Sequence, residues 1–200
     1  MMSQAVNDPL LLDFPDHFET ERLLIRAPRE GDAPALTEAV LESLDHLRPW
    51  MPWAREAPTV EQYVAIVRRG IARWITREDL WMMLIRKNDG RWIGGSGLHR
   101  IDWDVPKFEI GYWVRASEQG RGYITEAVRG ITAFAFGTLK AERVEIRCDA
   151  RNTRSAAVAE RCGYTLEGTL RRDSRGIDGS LRDTLVFSLI REDWEQWGDG

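Results

Sequence analysis

The stretch from residue 107 to 135 constrains the topology most. KFEIGYWVR alternates: Phe108, Ile110, Tyr112 and Val114 fall on one face, and Glu109, Gly111 and Trp113 on the other. That is the period of a strand. EQGRGYITEA follows at 118–127, and Ile124, Ala127, Val128, Ile131 and Ala135 then mark one helical face. A further strand, RVEIRC at 143–148, completes a β–α–β crossover, the connection that parallel neighbours in a sheet require. The turn before the helix has chemistry of its own. Free N–H groups at a helix start attract anions, helped by the dipole. Gly120 and Gly122 permit backbone angles closed to other residues, and Arg121 adds charge. No lysine follows the second glycine, as a Walker motif requires, and the three glycines of the dinucleotide fingerprint are lacking. On these residues alone the stretch is either an anion cradle or an ordinary turn.

The rest of the chain supplies the layers. Residues 1–18 show no clear period and read as an N-terminal extension, with a single domain over 19–197. TERLLIRAP at 20–28 reads as a strand. Asp32 is placed as the N-cap of a first helix, whose face is Leu36, Val40, Leu44 and Leu47. A second helix begins near Thr59, with Gln62 as capping-box partner. WMMLIR, the turn KNDG and RWIGGSGLHRI form a hairpin, with a bulge or close backbone approach expected at Gly94, Gly95 and Gly97. SAAVAERC is a short helix ended by Gly163, and TLEGTLRR and LRDTLVFSLI form a final strand pair. The order β-α-α-β-β-β-α-β-α-β-β implies an α/β (α+β) fold: one mixed sheet with helices on its faces.

Composition excludes several classes. A net charge of −4 over 200 residues lacks the basic face that nonspecific nucleic-acid binding needs. No apolar run approaches the roughly 20 residues of a membrane span, and the start lacks the pattern of a signal peptide. Two cysteines, Cys148 and Cys162, form neither a disulfide framework nor a metal pattern. The expected setting is therefore the reducing cytoplasm, with no metal, no nucleic acid and no membrane among the partners.

QGRGYITEA and NTRSAAVAERCGY, together with the order of elements, resemble the GNAT superfamily of acyl-CoA-dependent N-acyltransferases. The finer resemblance is to its RimJ/RimL branch, which acetylates protein N-termini, including those of ribosomal proteins. TERLLIRAPREGDA, LRPWMPW, IGYWV, EGTLRR and RDTLVFSLI support it, over about residues 19–194. The resemblance implies a GNAT-like fold with splayed central strands and acetyl-CoA as co-substrate. It implies that backbone amides of Gln119, Gly120, Arg121, Gly122, Tyr123 and Ile124 hold the coenzyme A pyrophosphate. Trp113 and Val114 would pair with the pantetheine main chain to main chain, and Asn152 and Ser155 would form the other wall of the slot. A homodimer suits the branch.

Transfer of an acyl group to an amine requires alignment, oxyanion stabilisation and the handling of two protons. Glu109, in mid-strand just before the cofactor stretch, is the candidate base; a plain ion-pair role is the alternative, and Asp173 and Asp183 are rivals. Many family members protonate the leaving thiolate with a tyrosine in the last helix, where this chain has Ala159. By the RimL-like pattern Ser155 takes that role. Cys148 is either an acyl-carrying nucleophile or a buried inert thiol. Trp50 and Trp53 lie where the family shapes its acceptor pocket, and His99 either faces the acceptor or is structural. The expected reaction is direct attack of an amine on acetyl-CoA in a ternary complex, most simply by a protein or peptide α-amine. The alternatives are a small-molecule amine, another acyl-CoA such as succinyl-CoA, and a non-catalytic acyl-CoA-binding sensor.

Overall fold

The computed structural model of the protein describes residues 8–197. Its elements are β1 (His17–Glu19), β2 (Leu23–Arg26), α1 (Ala33–Leu47), α2 (Val60–Ile75), β3 (Leu80–Arg86), β4 (Trp92–Asp102), β5 (Lys107–Val114), α3 (Tyr123–Gly137), β6 (Arg143–Asp149), α4 (Thr153–Arg161), β7 (Thr165–Arg175), β8 (Leu181–Ile190) and α5 (Arg191–Trp197). The eight strands form one sheet in the order β1-β2-β3-β4-β5-β6-β8-β7. Every neighbouring pair is antiparallel except β5 and β6, which are parallel and joined by the α3 crossover. The expected element order holds, with β1 and α5 added at the ends.

Period-2 alternation in β5 feeds two separate cores. Phe108 and Ile110 are buried with the apolar face of α3, including Ala127, Val128 and Ile131, and with Val158 and Ala159 of α4. Trp113 points the other way and joins Leu36, Val40 and Leu44 of α1 and Tyr63 and Val67 of α2. The sheet is thus covered on both faces, and the two cores are separated by its backbone. The close approach expected in β4 is present: a Cβ on Gly97 would lie 2.6 Å from the Leu80 carbonyl oxygen.

Two readings near the N-terminus need correction. Among residues 1–18, the described part is not a loose extension: Phe14 meets Trp74 and Phe134 edge-on, Phe18 stacks on Phe134, and β1 pairs with β2. The two apolar rings, Phe14 and Phe18, are too few to show a period, yet both pack on Phe134 near the end of α3. Asp32 is the N-cap residue of α1, as read, its carbonyl accepting from the Leu36 N–H, but its side chain makes no cap hydrogen bond. Its carboxylate accepts from both terminal nitrogens of Arg26, at 2.8 and 2.6 Å, and from the Arg29 N–H at 2.7 Å. An ion pair outcompetes a cap here because both side chains are about nine-tenths buried, where an unpaired charge is costly. α2 starts as read, with the Thr59–Gln62 capping box formed.

Removing the charge of Asp32 leaves the Arg26 guanidinium buried and unpaired. Asp32→Asn is expected to cost about 3 kcal/mol, a fall in Tm of about 10 °C, followed by thermal denaturation. A change below about 2 °C would show that the pair is not a structural tie.

Candidate active site

The parallel ladder between β5 and β6 has only three rungs, Lys107↔Arg143, Phe108↔Val144 and Glu109↔Glu145. Beyond Glu109 the strands part, while each keeps its outer neighbour: β5 stays on β4 up to Val114, and β6 stays on β8 up to Asp149. A fork therefore opens in the sheet. The Arg115 N–H donates to the Ile93 carbonyl at 2.7 Å. By alternation, Trp113 and Gly111 also turn their main-chain groups toward β4, and Tyr112 and Val114 turn theirs into the fork. This revises one expectation. The Trp113 main chain belongs to the β4 ladder, so Tyr112 joins Val114 as the edge a pantetheine can pair with. The Val114 carbonyl already meets His46 Nε2 at 2.9 Å.

The glycine-rich turn is held in place from outside. Ser43 and Glu42 of α1 accept from the Ala116 and Ser117 N–H groups at 3.0 and 2.9 Å. Buried Glu118 lies 3.0 Å from Arg86, 3.1 Å from Arg91 and 3.5 Å from Arg121. Arg22 donates to the Arg121 carbonyl at 3.0 Å, is itself held by Glu126 at 2.6 Å, and lies over the Tyr123 ring. Gly120 and Gly122 both have positive φ, 73° and 79°. Gly122 is the N-cap of α3 and supplies no side-chain acceptor, whereas Thr59 and Asn152 cap α2 and α4. The first N–H groups of α3 thus have no side-chain cap. The Tyr123 side chain is buried and Ile124 packs on the core, so both present only backbone at the turn. Gln119 is held through its side chain, which accepts from Arg154 at 3.0 Å. A hollow of about 600 Å³ beside the turn is lined by Arg22, Arg129 and Arg161 with Gly122.

On the α4 side of the fork, Asn152 Oδ1 accepts from the Ser155 N–H at 3.1 Å. The Asn152 oxygen is therefore spent on the cap. The Tyr112 hydroxyl lies 3.0 Å from the Ser155 carbonyl oxygen, to which it donates, and 3.0 Å from Ser155 Oγ. Burial pushes the Tyr112 hydroxyl and the Cys148 thiol above their ordinary pKa values, against a hydrogen bond from Ser155 in each case. Sequence reasoning had Tyr112 only as an apolar ring. Its strand parity was the available signal, since it sets Tyr112 on the α4 face.

On the opposite face a cavity of about 910 Å³ opens over the fork, with Gly111 and Tyr112 in its floor and Trp53, Tyr63, Trp81 and Trp113 in its walls. Trp53 meets Trp113 edge-on at 5.9 Å. His99 lines this cavity; Trp50 does not. Trp50 sits where the chain leaves α1, its backbone N–H donating to the Leu47 carbonyl, and is not part of the wall it was expected to shape. Glu109 also stays off the cavity wall. It lies on the last closed rung, 3.3 Å from Arg100, and burial raises its carboxyl pKa against the pull of Arg100, Arg147 and His99. Among the described residues there is no group of three His, Cys, Asp or Glu that could hold a metal ion, and no helix is long and apolar enough to cross a membrane.

A sheet forked at its one parallel junction, with an uncapped helix start at the mouth of the fork, is the architecture of an acyl-CoA-dependent acyltransferase. Residues 22–165 match the acetyltransferase (GNAT) domain, and the chain belongs to that family as an acetyl-CoA-dependent N-acetyltransferase. It is 31% identical over 176 residues to the Bacillus subtilis protein named "Putative ribosomal N-acetyltransferase YdaF", covering 88% of this chain and 94% of that one. It is 28% identical to the ribosomal-protein-serine acetyltransferase of Escherichia coli, over 86% and 94% of the two chains. Among solved structures it superposes on a probable acetyltransferase at 29% identity and TM-score 0.83, over 89% of this chain and 98% of that one. It shares the fold of RimL, a ribosomal L7/L12 α-N-protein acetyltransferase solved with coenzyme A, at 24% identity and TM-score 0.81, covering 87% and 97%.

The tie between α1 and the turn carries a pH signature. Burial opposes ionisation of Glu42, but hydrogen bonds from Ser117 and Arg115 outweigh it and hold its pKa down at about 2. A depressed carboxylate stabilises the fold above its ordinary pKa and loses that contribution as pH falls toward the folded value. The urea midpoint of Glu42→Gln is therefore expected below that of the wild type at neutral pH, with the gap closing between about pH 4.5 and 2. A gap of constant size across that range would mean that the charge of Glu42 contributes nothing.

Proposed function

We propose that the protein acetylates the α-amine of a protein or peptide N-terminus by direct attack on acetyl-CoA, the two substrates bound from opposite faces of the sheet. The observation that carries this reading is the fork: the β5 edge freed beyond Glu109, the uncapped start of α3 and the Ser155 hydroxyl lie along it, and the cavity opens on the opposite face. In this reading the amides from Gln119 to Ile124 hold the pyrophosphate. Tyr112 and Val114 pair with the pantetheine, and Ser155 protonates the departing thiolate.

The proton inventory supports an α-amine and a direct route. An α-amine with a pKa near 8 is about one-tenth neutral at pH 7, whereas a lysine is neutral only about once in a few thousand. A weak base therefore suffices. A covalent route through Cys148 is disfavoured, because burial raises its thiol pKa and lowers the thiolate fraction. Ser155 is suited to donate: Tyr112 gives its one proton to the Ser155 carbonyl, so the proton that can reach sulfur is the Ser155 hydroxyl's own, replaced from solvent. The aromatic walls of the cavity favour a second reading, a small-molecule amine bearing a flat apolar group.

Thiol release from acetyl-CoA, measured with N-terminal peptides and with aryl-alkyl amines, separates the two. Turnover with peptides of varied first residues supports the first reading; turnover confined to small amines supports the second. Ser155→Ala is expected to lower kcat roughly 100-fold and to leave calorimetric acetyl-CoA affinity within about twofold of wild type. Gly122→Val places a β-branched side chain at positive φ, beside the cradle, and is expected to abolish the heat of acetyl-CoA binding while the protein still melts cooperatively. Normal binding by Gly122→Val would refute the phosphate assignment.

A further inference from the structure

We infer that His99, held by Asp79, is the general base that takes the proton from the attacking amine. This inference rests on the proposed transfer reaction and assigns the group that the reaction still lacks on the acceptor side. His99 Nδ1 lies 2.8 Å from Asp79 Oδ2, and both side chains are largely covered, at 30% and 24% exposure. A carboxylate on Nδ1 fixes the ring's orientation and leaves Nε2 as the free acceptor. The ring lies in the lining of the cavity.

Its place relative to the fork is set by two features. His99 and Glu109 are cross-strand partners on the last closed rung of β5. One step further, Gly111 leaves room for the ring: a Cβ there would sit 3.2 Å from His99 Cδ2 and 3.4 Å from Nε2. Nε2 therefore lies over Gly111, in the cavity floor where the strands have just parted. Glu109 is less suited to the task, since it sits below the fork and faces Arg100 at 3.3 Å. The other charged residues lining this space are Arg69 on α2 and Arg55 and Glu56 on the α1–α2 connection, while Arg100 on β4 is paired with Glu109.

The step balances without any further reagent. The amine nitrogen bonds to the thioester carbonyl carbon, and the C–S bond breaks. The amine proton passes to His99 Nε2, the thiolate takes a proton from Ser155, and solvent returns one to Ser155 and removes one from His99. Asp79 is a positioning residue, since it acts through the ring.

The test measures thiol release across pH 6–9, with and without an acceptor amine, for wild type, His99→Gln and Asp79→Asn, with acetyl-CoA calorimetry on each. His99→Gln is expected to lose about 100-fold in kcat/KM for the acceptor, to keep its acetyl-CoA affinity, and to show a rate that climbs steadily with pH up to the amine's own pKa. Asp79→Asn is expected to lose about tenfold in kcat while acceptor KM and acetyl-CoA affinity are kept, because the ring is no longer held in orientation. Wild-type rates and profile in His99→Gln, or a parallel loss of acetyl-CoA affinity, would overturn the assignment. If wild type binds acetyl-CoA but acetylates no amine, the reading of the acceptor fails instead. Slow acetyl-CoA hydrolysis, with water in the amine's place, then reads His99 directly: loss in His99→Gln sustains it and an unchanged rate overturns it.

Discussion

The structure depends on a pairing that stops early. β5 and β6 share three rungs and then diverge, although both continue as strands against their outer neighbours. An unpaired strand edge inside a sheet is costly unless something pairs with it or water reaches it. Here it coincides with the start of a helix whose N–H groups lack a side-chain cap. Two sets of unused main-chain donors and acceptors thus line one channel. A ligand with a diphosphate at one end and amides along its length satisfies both, and this is why the fork defines the class of protein better than any single side chain.

Keeping such a channel open requires stiffness elsewhere. The turn before α3 is tied to α1 through Glu42 and Ser43, to β3 through Arg86 and Glu118, and to β2 through Arg22 and Glu126. None of these ties places an acceptor on the free N–H groups of α3. Charge is spent on the outer side of the turn, so the inner side stays bare. The same economy appears at the cavity: Arg182 of β8 donates to the Pro49 carbonyl at 2.8 Å, fastening the connection that carries Trp53 without entering the space Trp53 lines.

Much of this was legible in the sequence because the signals were local. Alternation in KFEIGYWVR and the glycines at 120 and 122 specify a strand, a turn and a helix from short-range sterics alone, and the Thr59–Gln62 box was readable at a spacing of three residues. The failures were all contests between distant groups. Asp32 has the right type and place for a cap, but Arg26 takes its carboxylate. Trp113 was assigned a main-chain role on a strand whose hydrogen-bonding parity depends on β4. Trp50 and Trp53 are chemically alike, and only the fold decides that one lines the cavity. The His99–Asp79 contact spans twenty residues and a hairpin, and nothing near His99 in the sequence announces it.

The two faces of the sheet also divide the proton chemistry. On the α4 face, burial keeps the Tyr112 hydroxyl and the Cys148 thiol protonated, and Ser155 between them is a neutral hydroxyl. These three groups can give protons and do not readily accept one. A reaction that must both remove and deliver a proton then needs its acceptor elsewhere, and the backbone of β5 blocks exchange except through the fork. On the cavity side stands His99, its Nδ1 held by Asp79 at 2.8 Å, and the proposed transfer uses it as the proton acceptor. In the proposed transfer the acid and the base thus stand on opposite sides of one strand, and each reaches the thioester through the fork.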